Sequence, residues 1–232
     1  MNRKFIVLLT VSVAVLISCC LPLPRAVFSH QDESAIVVID AGHGGIDGGA
    51  VGKSGIEEKQ LNLEIAKKLR TMLGFIGFDN KMTRENDMYV TEDGKTIREK
   101  KISDTKARVE LINNTPNAYL ISVHLNHFSQ GECSGAQVFY TSDKSSKVIA
   151  EHLQENLRLG IDKNNRRVAK EIGSNIYIMN NINCPGVLVE CGFLSNACEE
   201  QLLQNEDYQR KIALSAAIGF ADGYREVKNY EN

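Results

Sequence analysis

Two histidines and two glutamates stand in this chain where ionisable side chains do chemistry rather than packing. His43 follows the apolar run Ile36 to Ile39 and Asp40, and it sits among Gly42, Gly44 and Gly45. A buried strand that breaks into glycines around one imidazole lets the backbone turn sharply and lets another group approach closely. Glu58 comes 15 residues later, in the first turn of an amphipathic segment. His124 follows a second apolar run, Ala118 to Val123, and Glu190 follows a third, Pro185 to Val189. One strand-end histidine is more often a packing or surface residue. Two placed alike, with a carboxylate ending a third strand, indicate a site.

Two histidines and a carboxylate that leave one position open form the ligand set of a catalytic zinc centre. His43, Glu58 and His124 supply that set. Zinc polarises a carbonyl and activates water, so an amide can be attacked without a serine or cysteine nucleophile. The remaining requirement is a carboxylate that takes a proton and returns it to the leaving nitrogen. Glu190, fixed by the apolar run before it, fits that role. His127 lies in a polar loop and reads as exposed, and His152, between Glu151 and Glu155, reads as solvated. Cys191 alternates to the opposite strand face from Glu190.

The elements that must position these groups follow from periodicity. Ser54 and Glu57 read as a capping box that leaves Glu58 free. The helix they open runs over 57–76, with Ile65, Leu69, Met72, Leu73 and Ile76 at helical spacing and Gly77 as its stop. A short strand over 79–83 precedes a polar surface loop from Arg84 to about Ser103, and a helix follows over 105–113. Further strands are expected over 118–123, 136–140, 176–179 and 185–189. The spacing predicts a helix over 145–159 with Gly160 just past its end, then a mobile polar segment over 162–167. Asn205 caps a final helix whose inner face carries Tyr208, Ile212, Ala216 and Phe220. Strands alternating with amphipathic helices predict an α/β fold, an open, largely parallel twisted sheet with helices on both faces. Ligands of such sheets bind beyond the carboxyl ends of the strands, which places the zinc site there.

Composition bounds the rest. The 232 residues carry 27 Lys and Arg against 29 Asp and Glu, a formal net charge of −2, and this balance gives no footprint for nucleic acid. Asn2, Arg3 and Lys4 followed by the uncharged stretch Phe5 to Leu23 have the form of an export signal. The expected organisation is a signal peptide or signal anchor over 1–29, a short linker over 30–34, a catalytic domain over 35–228 and a tail over 229–232. The membrane would be touched through the N-terminal segment alone. Leu16 to Cys19 is similar to a lipobox, which makes Cys19 a candidate for lipidation. Cys133, Cys184, Cys191 and Cys198 match no zinc spacing and are expected to be buried free thiols.

Several motifs together resemble one family. These are Val38 to Gly45 with Asp47, then Gly55 to Lys59 with Leu61 to Leu63, and Thr83 and Arg84 with Asp87. Ile121 to Asn126, Asn165 with Arg166, and Val189 to Asn196 complete the set. In order and spacing they are similar to the zinc-dependent N-acetylmuramoyl-L-alanine amidases of type 3, over about residues 35 to 226. The resemblance implies one zinc on His43, Glu58 and His124, and Glu190 as the catalytic glutamate. It implies peptidoglycan as substrate, cut between the lactyl group of muramic acid and the L-alanine of the stem peptide. Asn126 and Arg166, on matching motifs, are the substrate-binding candidates. Ala41 stands where proline is common, and Arg167 where glycine often follows. A domain with no wall-binding repeats behind an apolar N-terminus resembles the sporulation amidases that prepare spore cortex for germination. An accessory protein or lipoprotein is then an expected partner. A general lytic or cell-separation amidase and, in another class, a non-catalytic wall-binding lipoprotein are the alternatives.

Overall fold

The computed structural model describes residues 35–129 and 131–231. The signal or anchor, the linker and Cys19 lie outside the described residues. The elements are β1 (Ile36–Ala41), α1 (Glu58–Phe75), β2 (Asp79–Met82), α2 (Ile97–Asn113), β3 (Ala118–Asn126) and β4 (Gln137–Tyr140). They continue with α3 (Lys144–Gly160), β5 (Lys170–Glu171), α4 (Tyr177–Asn181), β6 (Gly186–Phe193), α5 (Ala197–Leu203) and α6 (Glu206–Glu231).

The six strands form one sheet in the order β2-β1-β3-β6-β4-β5. All pairs are parallel except β4 against β6, so β4 and β5 run opposite to the rest. Strand alternation divides the sheet into two unlike faces. Val37, Ile39 and Ala41 of β1, Tyr119, Ile121, Val123 and Leu125 of β3, and Val187, Val189 and Cys191 of β6 pack under α1, α3 and α6. Val38, Leu120 and Leu188 face the other way, against Val109 and Ile112 of α2 and Ile178 and Met179 of α4. Moving toward the carboxyl ends, this second face changes from apolar to polar. Asp40 pairs in register with Ser122, and His124 with Glu190. Covering by α2 and the short α4 leaves that end of the face to the functional groups. Among the described residues, no helix is long and apolar enough to cross a membrane.

Several expectations are corrected. Ser54 caps nothing: its amide and hydroxyl both donate to Glu200 Oε1, at 2.8 and 2.6 Å. Glu57 is the N-cap of α1 without a side-chain cap bond. The polar loop after Arg84 is shorter than expected because α2 begins at Ile97. Thr96 and Glu99 form the capping box there, with the Thr96 hydroxyl accepting from Glu99 N at 3.2 Å and the Glu99 carboxylate from Thr96 N at 3.0 Å. The first turns of α2 bury nothing apolar, so periodicity does not reveal them. Residues 176–179 are not a strand. Asn180 Nδ2 donates to Gly173 O and Ile176 O, at 3.0 and 2.7 Å, and secures the turn of α4. A four-residue apolar run cannot distinguish these outcomes.

The 162–167 segment is anchored rather than loose: buried Asn165 donates to Ala136 O at 2.8 Å. Gly160 lies inside α3, whose cap falls at Ile161. His152 pairs with Glu226 of α6 at 2.6 Å instead of standing in solvent alone. The four cysteines are free thiols, yet only Cys191 is buried and Cys198 is exposed. Two strands outrun their expected ends, since β3 reaches Asn126 and β6 reaches Phe193. His124 and Glu190 therefore lie within the sheet, and His43 alone follows a strand end.

Candidate active site

His43, Glu58 and His124 converge, each offering a ligand atom within 4.8 Å of the others. His43 Nε2 lies 3.2 Å from Glu58 Oε2, and His124 Nδ1 lies 3.1 Å from Glu58 Oε1. Glu58 is the most constrained of the three. Its Oε2 accepts from Ala50 N at 2.9 Å, and its Oε1 accepts from Leu125 N at 3.1 Å and Asn62 Nδ2 at 3.2 Å. Burial would raise its pKa, but the bonds and charges of His124 and His43 outweigh burial and hold the carboxyl far below its ordinary range.

His43 is held by its backbone as well as its ring. Its φ is 62°, in the left-handed region that costs a non-glycine residue of order 1 kcal/mol or more. Arg108 Nη2 donates to His43 O at 2.6 Å and keeps the turn in place. On the ring, Nδ1 faces Asp47 Oδ2 at 2.9 Å, which directs Nε2 toward Glu58. A carboxylate behind a ligand histidine in this way fixes tautomer and orientation. Burial opposes the charge on the imidazole, yet the bonds to Asp47 and Glu58 prevail and push its pKa up to about 9.

Two arginines clamp the loop between β1 and His43. Arg84 donates through Nε to Ala41 O at 2.8 Å and through Nη2 to Gly42 O at 3.0 Å and Lys59 O at 2.8 Å. Arg108 donates through Nη1 to Asp40 Oδ1 and Ala41 O, both at 2.8 Å, and through Nε to Asp104 at 2.8 Å. Burial alone would raise the Asp40 pKa. The Arg108 charge and the hydroxyls of Thr83 and Ser122, each 2.7 Å away, instead hold it at about 2. Gly42 is required by space: a Cβ there would lie 2.2 Å from His124 Cε1.

Glu190 lies beside His124 in the β3–β6 register, on the same face. Its Oε2 is buried and has no hydrogen-bond partner. Burial pushes its pKa up to about 7, with the His124 charge opposing and the Glu58 charge assisting. Asn126 is two residues farther along β3, half-buried, and its carbonyl accepts from Leu194 N at 2.8 Å. Arg166 is exposed and lines a groove of about 390 Å³ against Gln154, Glu155 and Arg158 of α3.

A protein-family profile described as N-acetylmuramoyl-L-alanine amidase matches residues 37–221. The chain belongs to the N-acetylmuramoyl-L-alanine amidase family. This amidase is 40% identical over 193 residues to the germination-specific N-acetylmuramoyl-L-alanine amidase of Bacillus subtilis, covering 82% of this chain and 80% of that one. It is similar at 41% identity and a TM-score of 0.80 to the CwlD amidase of Clostridioides difficile, solved in complex with the GerS lipoprotein. That match covers 83% of this chain and 100% of the other. The catalytic domain of CwlV from Bacillus (Paenibacillus) polymyxa matches at 29% identity and a TM-score of 0.68, over 83% and 99% of the two chains. The amidase is thus a hydrolase of peptidoglycan.

The residues around the histidine and glutamate cluster fit a metal. The nitrogen and oxygen donors are those zinc accepts, and an undonated buried carboxylate oxygen stands beside them. Sequence reasoning missed most of what holds the amidase site in place. Asp47 and Arg84 appeared only as parts of motifs. Asn62 likewise appeared only within a motif; Lys101 and Arg108 were not singled out, although Lys101 Nζ reaches Asp47 Oδ1 at 2.6 Å. Lys101, Asp104 and Arg108 lie at helical spacing on α2 and all serve the His43 loop, so a polar stripe facing a buried loop was the available clue.

Proposed function

We propose that this amidase is a zinc enzyme that cuts the amide bond between the lactyl group of N-acetylmuramic acid and the L-alanine of the stem peptide. The carrying observation is the convergence of His43, Glu58 and His124 beside the undonated Oε2 of Glu190. His43, Glu58 and His124 are the residues that would hold the metal, with Asp47 fixing the His43 ring. Zinc bound there supplies Lewis acidity, polarising the scissile carbonyl and activating the attacking water. Glu190 takes the proton of that water and then passes it to the leaving nitrogen of L-alanine. A carboxyl raised toward neutrality by burial does both within one turnover. Asn126 and Arg166 remain the substrate-binding candidates.

Action on spore cortex is supported by the germination-specific relative. A lipoprotein partner is supported by the complex in which the Clostridioides difficile relative was solved. Residues 1–29 serve as export signal or anchor and 30–34 as linker to the catalytic domain, whose last helix α6 runs through the expected tail to Glu231, so the enzyme works outside the cytoplasm. Metal analysis of purified protein tests the central assignment. One zinc per chain is expected, strongly reduced in His43→Ala and His124→Ala; full occupancy in both variants would remove these histidines from the ligand set.

A further inference from the structure

Glu190 has a neighbour on each side. The antiparallel register sets Gln137 of β4 opposite it, as the parallel register sets His124 on the other flank. Directly opposed residues share a sheet face with Cβ atoms about 5 Å apart, so register places the Gln137 side chain, a neutral amide, beside Glu190. That donor is committed elsewhere. Gln137 Nε2 donates to Val168 O at 3.1 Å, and its Oε1 accepts from Arg167 Nη1 at 3.0 Å. The two partners fix which end of the amide is nitrogen, because a carbonyl only accepts and a guanidinium only donates. Arg167 is itself immobilised. Its Nε donates to Ser134 O at 2.8 Å, its amide to Asn165 Oδ1 at 3.0 Å, and its guanidinium lies 4.6 Å above the Phe193 ring.

We infer that Arg167 is a positioning residue for catalysis: by holding the Gln137 amide turned toward Val168, it keeps Glu190 free of a fixed donor and available to exchange a proton with substrate. Without Arg167 the amide keeps only its bond to Val168 O, and its nitrogen, which carries two N–H groups, can turn and donate to Glu190. A bond of that kind ties the carboxylate to β4 and holds it away from the reacting atoms. The inference rests on Glu190 as the proton carrier, a reading that Glu190→Gln tests separately.

The experiment uses the full chain loaded with zinc and soluble peptidoglycan fragments. Arg167→Ala is expected to lower kcat about tenfold, with KM and bound zinc unchanged. Arg167→Ala combined with Gln137→Met, which removes the competing donor, is expected to recover most of that loss. A merely structural role for Arg167 gives a double variant as slow as the single or slower, and that result overturns the inference. A loss residing in KM or in zinc content overturns it as well. Should Arg167→Ala not fold, Arg167→Lys is carried through the same pair, since it keeps a cation over Phe193 while losing the planar fork that grips Gln137.

Discussion

Gly42→Ala adds one carbon at the point where the backbone passes the ring of His124, a proposed zinc ligand. The new Cβ would stand 2.2 Å from His124 Cε1, 2.3 Å from Nε2 and 2.7 Å from Nδ1. Carbon atoms in contact rest about 3.5 to 4.0 Å apart, so ring or loop must yield by more than 1 Å. Neither yields easily. His124 is held inside β3, and the loop is tied through Ala41 O and Gly42 O to Arg84 and through Ala41 O to Arg108. Ligand distances in a metal site tolerate only about 0.2 Å. Overpacking of this kind costs about 1 to 3 kcal/mol in fold stability, while displacement of the ring removes one of three ligands. The zinc Kd is therefore expected to rise at least about 100-fold, or about 2.8 kcal/mol at 1.4 kcal/mol per decade. Chelator competition measures it directly, and thermal melts give a second reading. Zinc at 1,000 times the wild-type Kd stabilises the native state by about 4.1 kcal/mol, and the same concentration would leave the variant about a third of that. Gly74→Ala, where the nearest atom is Asn80 Nδ2 at 3.6 Å, is the control and should bind zinc normally. Wild-type zinc affinity in Gly42→Ala would refute the claim that His124 holds the metal in this position.

Glu190→Gln is expected to keep its zinc and to lose about 10²- to 10⁴-fold in turnover, since shape survives and proton transfer does not; near wild-type turnover would remove Glu190 from the mechanism. Asp40, with a folded pKa of about 2 against an ordinary 3.8, contributes stability that is present above pH 3.8 and lost as pH falls toward 2. Unfolding of the metal-free protein should show about 2 kcal/mol of that acid loss missing in Asp40→Asn, and parallel curves for the two proteins would contradict the Arg108–Asp40 assignment. A chain shortened to begin at Ser29 should be soluble and cooperatively folded, because β1 and every later element lie beyond that residue. Aggregation or loss of a cooperative melt would show that the first 28 residues belong to the fold.

Much of this molecule was legible in its sequence because the signals were strong and local. Three apolar runs, each carried to an ionisable residue, revealed β1, β3 and β6, and their glycines revealed the turn at His43. Helices with a continuous apolar stripe, such as α3 and α6, were visible for the same reason. What escaped was held by polar contacts between distant segments. The start of α2 buries Asp104 and Arg108 rather than leucines, so periodicity passes over it. The short α5 is missed likewise, since its buried groups include Glu199, which accepts from Gly135 N and Phe193 N, and Glu200, which accepts from Ser54. Ser54 carries a capping signature, yet its donors go to a carboxylate 146 positions away. Local sequence cannot weigh such a partner. The candidate site was legible in its donors and opaque in its supports: His43 announces itself between glycines, whereas Arg108 reaches it from 65 positions away with no motif to mark it.

The bond that breaks tests the central claim most directly. A proton carrier beside a metal that polarises a carbonyl cuts an amide. Glycoside cleavage needs two carboxyl groups flanking an acetal, about 5 to 9.5 Å apart, and Glu58 is committed to the two histidines. One digest of purified peptidoglycan by the zinc-loaded enzyme, labelled for free amines and assayed for reducing sugar, measures both outcomes. New N-terminal L-alanine on stem peptides with unchanged glycan reducing ends is the expected result. New reducing ends without new alanine amines would contradict the assignment of His43, Glu58, His124 and Glu190 to amide hydrolysis.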